Sequence, residues 1–149
     1  MDNKVVFNKE RAREAGKGNS SSFWNPSGDA EAVFEVLDEP RVIAKTGKMR
    51  RDAWVLDVRI LYGKDYDSEG EIIELTGEKR ALILNSKTVI ESKVKRLIEQ
   101  YKTLKGMRLV LIGLGEVEGE NGSYIDFYIN TEENAKKDGV VEVVEEETN

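Results

Sequence analysis

The chain has 149 residues, 39% of them hydrophobic and 35% charged, a formal net charge of -6, and neither cysteine nor histidine. That length can bury one core, while the missing residue types exclude disulfides, thiolate metal sites, the usual general base and the commonest metal ligand. No run of about 18 apolar residues offers a membrane-spanning helix and no apolar signal core follows Met1, so a cofactor-free cytoplasmic protein is expected.

Glutamine occurs once, at Gln100, among many Glu, Lys and Arg, the bias of proteins from hot environments. Charge is unevenly spread. Between Arg41 and Arg108, 16 Lys and Arg stand against 10 Asp and Glu, whereas Leu109 to Asn149 holds 2 against 11. A basic middle with an acidic end suggests an anionic ligand on the body and a charged tail.

In chain order, residues 1–22 are polar and read as a flexible arm, with Gly16, Gly18 and three serines after a short helix-forming run. Phe23-Trp24-Asn25-Pro26-Ser27-Gly28-Asp29 sets two large aromatics before a turn signal. A first strand is predicted over Ala30 to Leu37, closed by Asp38-Glu39-Pro40. A second runs from Ala53 to Leu61, with Trp54, Leu56, Val58 and Ile60 on one face and Val55, Asp57 and Arg59 on the other. Tyr62 to Arg80 reads as a long hairpin connection able to extend both neighbouring strands. Ala81 to Leu84 makes the third strand. Asn85 and Ser86 then offer N-cap side chains to a helix from Ser86 to Tyr101, whose apolar stripe is Val89, Ile90, Val94, Leu97, Ile98 and Tyr101. Lys102 and Lys105 favour the helix C-terminus, Gly106 is its expected stop, and Met107 to Ile112 forms the fourth strand. Asn121-Gly122 signals a tight hairpin into a last strand, Tyr124 to Ile129. Residues 131–149 read as an acidic tail able to compete for a basic face.

Five short strands with a single helix between the third and fourth is the layout of a five-stranded OB-fold Greek-key barrel; doubly wound sheets and ferredoxin-like domains need more helices. The domain is expected over 23–130.

The opening Phe23-Trp24-Asn25-Pro26 with Gly28-Asp29, a strand, and Leu37-Asp38-Glu39-Pro40 resembles OB-fold single-stranded-DNA-binding proteins of phages, archaeal viruses and archaea. Leu84-Asn85-Ser86-Lys87, the helix, and Leu104-Lys105-Gly106-Met107-Arg108-Leu109 with Gly113 fit the same pattern. The resemblance spans roughly Ser22 to Asn130. It implies a protein of replication, recombination or repair whose acidic tail recruits partner proteins. The chain departs from the best-known bacterial members in lacking a long Gly/Pro linker and a tail ending in aspartates and phenylalanine.

Single-strand binding needs a basic groove for phosphates and aromatic faces for bases. Lys45, Lys48, Arg50 and Arg51 lie in a Gly-centred turn between the first two strands; Arg59 is on the second, and Lys79 and Arg80 lead into the third. On an OB barrel these positions frame the ligand face. The aromatic candidates are Phe23, Trp24, Trp54, Tyr62, Tyr66, Tyr124 and Tyr128. Phe23 and Trp24 either stack bases or plug the core, Trp54 fits core and stacking equally, and Tyr124 and Tyr128 point outward to ligand or to solvent. Tyr62 and Tyr66 are the preferred stackers. Catalysis has no support: no nucleophile-base pair has a local signature, Gly113-Leu114-Gly115 is no dinucleotide fingerprint, and Asp65, Asp67 and Glu69 do not complete a calcium loop. The expected function is sequence-tolerant single-stranded DNA binding without membrane association. The alternatives are RNA binding and an OB-fold protein-interaction module.

Overall fold

The computed structural model describes residues 8–9, 22–45, 47 and 51–142. Of the candidate site residues, Lys48 and Arg50 lie outside them, as do most of the expected arm and the end of the tail. The described chain is mainly β and forms one strongly curled, barrel-like sheet. Its strands are β1 (Ser22–Trp24), β2 (Glu31–Val36), β3 (Arg41–Ile43), β4 (Ala53–Tyr66), β5 (Ile72–Glu74), β6 (Lys79–Ile83), β7 (Arg108–Gly119) and β8 (Gly122–Thr131). The helices are α1 (Thr88–Tyr101), between β6 and β7, and α2 (Glu132–Lys137) after β8. Across the sheet the order is β1-β6-β4-β2-β7-β8, with β3 and β5 also paired to β4. Only β1 with β6 is parallel.

Eight strands stand where five were expected, and the local chemistry accounts for the difference. Beyond Pro40, which cannot donate to a ladder, the chain resumes as β3 on the edge of β4 that β2 already uses. On the other edge, β5 and β6 are separated by a turn in which Glu78 N donates to Leu75 O and Gly77 takes φ 84°. This break lets Leu75 plunge into the core at 1% exposure. The 14 residues of β4 hold both interrupted partners in line, and β4 itself continues through the expected hairpin connection to Tyr66. The remaining extra strand is β1.

Helix α1 carries the stripe read from the sequence. Ile90, Val94 and Leu97 are buried, and Val89, Ile98 and Tyr101 pack against the same core. Its ends differ from expectation. Neither Asn85 nor Ser86 caps it: Asn85 accepts from Trp54 N at 3.0 Å and donates to Asp52 O at 2.9 Å, and Ser86 Oγ donates to Asn25 Oδ1 at 2.8 Å. These side chains tie α1's approach to the barrel instead. The helix stops at Lys102 (φ 72°, ψ -40°), whose N–H still reaches Ile98 O, four residues before Gly106. The second helix was not anticipated. Thr131 caps it by accepting from Asn134 N at 3.1 Å, and Ala135 is fully buried, so the first part of the expected tail folds onto β7 and β8.

Inside the sheet the core is continuous from Trp24 and Phe34, an edge-to-face pair at 6.2 Å, through Leu56 and Ile60 to Ile90 and Phe127. Each such side chain taken out of water stabilises the fold by about 1.5–3 kcal/mol. Residues 28–30 cross β7 so closely that a Cβ on Gly113 would stand 2.3 Å from Gly28 O; Gly113 N donates to Ala30 O at 2.7 Å. Only glycine fits there.

Lys102 is the one described non-glycine residue at positive φ, a conformation that costs a side chain about 1–2 kcal/mol. Because glycine loses more backbone entropy on folding, by about 0.4–1 kcal/mol, Lys102→Gly should leave a net stabilisation of up to about 1.5 kcal/mol, read as a raised melting temperature. A lowered melt would show that the strain at Lys102 is smaller than the entropy glycine loses.

Candidate nucleic-acid interface

Residues paired directly across a ladder share a face, so the register assigns the outer surface residue by residue. Glu35 pairs with Arg59 on one side and Arg108 on the other, and Arg59 pairs in turn with Lys79. Four adjacent strands thus place Arg108, Glu35, Arg59 and Lys79 in one row across the outside of the sheet. At about 4.8 Å per strand the row spans roughly 14 Å. Arg59, Lys79 and Arg108 are exposed, and none has an ion-pair partner among the described residues. By contrast, Arg41 is held by Asp57 at 2.7 Å, a hydrogen bond that raises its pKa further.

Aromatics flank this row on both sides. A register shift between Val33 and Phe34 leaves Leu61 as an extra residue on β4, so Ile60 stays with Phe34 in the core while Tyr62 pairs with Val33 on the outer face. Tyr62 is 57% exposed. Lys64 and Tyr66 follow it on the same side, and the Lys64 pKa is raised by the nearby Tyr66 and by Glu31. On the row's other side β1 places Phe23, 49% exposed, beside Ala81.

What turns Phe23 outward is the fate of its neighbour. Trp24 is buried, and its Nε1 donates to Asp65 Oδ2 at 2.9 Å. The Asp65 carboxylate is itself 4% exposed and also accepts from Ser27 N (3.2 Å), Ser27 Oγ (2.5 Å) and Tyr66 N (2.7 Å). Nearby, Lys87 donates to Asn25 Oδ1 at 2.7 Å and lies over the Phe127 ring; burial pulls its pKa down, against the opposing pull of Asp65.

Several candidate residues sit elsewhere. Trp24 belongs to the core and offers no face to a base. Trp54 faces the interior side, packed against the core with the Lys95 ammonium 5.8 Å from its ring centre. Arg80 pairs with Val58 and so points away from Lys79; it is bound to Glu78 at 2.6 Å with Nε buried and unpartnered. Lys45 and Arg51 are exposed at the β3–β4 turn, where Lys45 N donates to Asp52 and the Arg51 guanidinium donates to Asn85 O. Tyr124 lies over Gly119 on the β7–β8 hairpin, three strands from β4. Tyr128 is latched to α2, its hydroxyl donating to Asp138 at 2.6 Å.

The structure therefore joins Phe23, Arg59, Tyr62, Tyr66 and Lys79 on one face and adds Arg108, which sequence reasoning missed because only the β2–β7 register brings it there. A cleft of about 580 Å³ lined by Ser27, Asp29, Glu31, Tyr66 and Asp67 is acidic and repels phosphate. No family model, curated protein or solved structure matches this chain. Among the described residues no helix is long and apolar enough to cross a membrane.

Two predictions follow from these contacts. Asp65→Ala strands a buried indole N–H and the Ser27 donors, and should cost about 2–4 kcal/mol in urea unfolding followed by tryptophan fluorescence; Asp65→Asn, which keeps one acceptor, should cost less. Equal stability of Asp65→Ala and the parent would show that the contact holds nothing. The Tyr128 phenol is pushed up to about 12, by burial first and Asp138 second. The folded state then holds this proton where the unfolded chain has lost it, so stability is intact below about pH 10 and falls as pH rises toward 12. Tyr128→Phe should flatten that part of the stability profile; identical profiles would rule the latch out.

Proposed function

We propose that this protein is a sequence-tolerant single-stranded DNA-binding protein of replication, recombination or repair, built on a five-stranded OB-type Greek-key barrel and without catalytic activity. The barrel reading treats β2–β3 and β5–β6 as two interrupted long strands beside β4, β7 and β8, with α1 between the third and fourth. One observation carries the function: three unpaired cations cross four strands in a row, with exposed aromatics on either side. Such a row tracks a phosphate backbone, and the flanking rings take bases from it. The acidic end after Glu142 remains the proposed contact for partner proteins.

A second reading, a protein-interaction module, is favoured by a different feature. An apolar hollow of about 410 Å³ opens between α1 and the β7–β8 hairpin, lined by Lys87, Thr88, Val89, Tyr124 and Ile125. Salt separates the two, because phosphate contacts release counterions and an apolar interface does not.

The test is fluorescence anisotropy with labelled oligo-dT over a salt series. Tyr62→Ala and Phe23→Ala should each weaken binding about five- to a hundredfold, as loss of about 1–3 kcal/mol of stacking requires, with the salt slope unchanged. Arg59→Ala and Arg108→Ala should each lower affinity and reduce the slope by about 0.7. Trp54→Ala should act mainly through stability. Parent-like binding by all four surface variants, with melts confirming folded protein, would move the ligand off this face; no binding by the parent would end the proposal.

A further inference from the structure

We infer that Glu35 reads a base, and that it gives this surface a preference for guanine. The inference rests on the nucleic-acid reading above and adds a specificity to it. Glu35 stands between Arg59 and Arg108 in the row, the single carboxylate among its three cations. It is half-buried, and among the described residues it forms an ion pair with neither neighbour. A carboxylate in the middle of a phosphate track repels a ligand that presents only phosphate. It is useful there if the ligand also presents hydrogen-bond donors.

A carboxylate is acceptor-only, with two oxygens that can take a pair of adjacent N–H groups. Guanine is the one DNA base whose Watson–Crick edge sets two donors side by side, N1–H and the N2 amino group. Thymine places N3–H between two carbonyl oxygens, and cytosine and adenine set an amino group beside a ring-nitrogen acceptor, so each of these directs a lone pair at the carboxylate. In a single strand this edge is unpaired and free to be read. The geometry is also suited to a purine. Tyr62 pairs with Val33, two residues before Glu35 on β2, a step of about 7 Å along the strand. A purine stacked on Tyr62 thus has Glu35 within reach of its edge, with Arg59 and Arg108 on either side for the phosphates.

The experiment compares the parent and Glu35→Gln against dT8, dT8 with one central guanine, and dT8 with hypoxanthine at that place, which keeps N1–H but lacks the amino group. The parent should bind the guanine oligonucleotide about five- to a hundredfold more tightly than dT8, the discrimination of one bidentate pair, with hypoxanthine between. Glu35→Gln should lose that preference, the ratio of guanine to dT8 affinity falling to about one. A uniform gain on all three ligands would overturn the inference, making Glu35 a simple counter-charge to the arginines; so would a parent with no guanine preference. A parent that binds none of the three fails the nucleic-acid reading itself, a distinct outcome.

Discussion

A carboxylate almost sealed from water sets the terms for the rest of this molecule. A carboxyl group at that depth needs hydrogen-bond partners, and Asp65 has four donors, three of them supplied by the Trp24–Ser27 segment. One side chain on β4 thereby fixes a segment about forty residues away. Since successive strand residues face opposite ways, committing Trp24 to the interior commits Phe23 to the exterior. The same anchored segment then runs on into the close crossing of Gly28 over Gly113.

The outer face depends on a second constraint, register. Had β2 and β4 paired without their bulge, the residues beyond Phe34 and Ile60 would have changed sides, since a one-residue slip inverts every side chain that follows. With Leu61 absorbed as an extra residue, the apolar alternation of β4 stays inside while Arg59 and Tyr62 both remain outside. Charge pairing completes the selection. Among the described residues, eight of the fourteen other Lys and Arg side chains are held by a carboxylate, as Arg41 is by Asp57, Lys93 by Asp126 and Arg80 by Glu78, whereas the three cations of the row are not.

Much of this was legible in the sequence wherever one element carries its own signal. The periodicity of Ile90, Val94 and Leu97 marks the buried side of α1 without reference to anything else, and Arg59 falls outside because Val58 and Ile60 must fall inside. What escaped was decided by distant partners. Nothing local to Phe23-Trp24 says which ring is buried, because Asp65 decides it. Asn85 has the chemistry of a helix cap and is used instead by Trp54 N. Arg108 reads as an ordinary surface residue until β7 is laid beside β2. Pro40 is a visible strand terminator, yet the chain resumes pairing directly after it because β4 still has an open edge to offer.

The parallel pairing of β1 to β6 bears on the order in which the molecule assembles. Three residues must find partners nearly sixty positions downstream, which incurs the loop-closure entropy of the whole intervening chain for a very short ladder. The meander of hairpins in between has no such handicap, so the ladder of β1 holds it weakly and its docking rests on the burial of Trp24 and the bond to Asp65. Its detachment would carry off Phe23 and uncover the cavity left by Trp24 in one step. A docked β1 and, on the proposed function, an occupied outer face are in that sense one equilibrium, and amide exchange at Ser22 to Trp24 is where binding of a ligand there would be felt most.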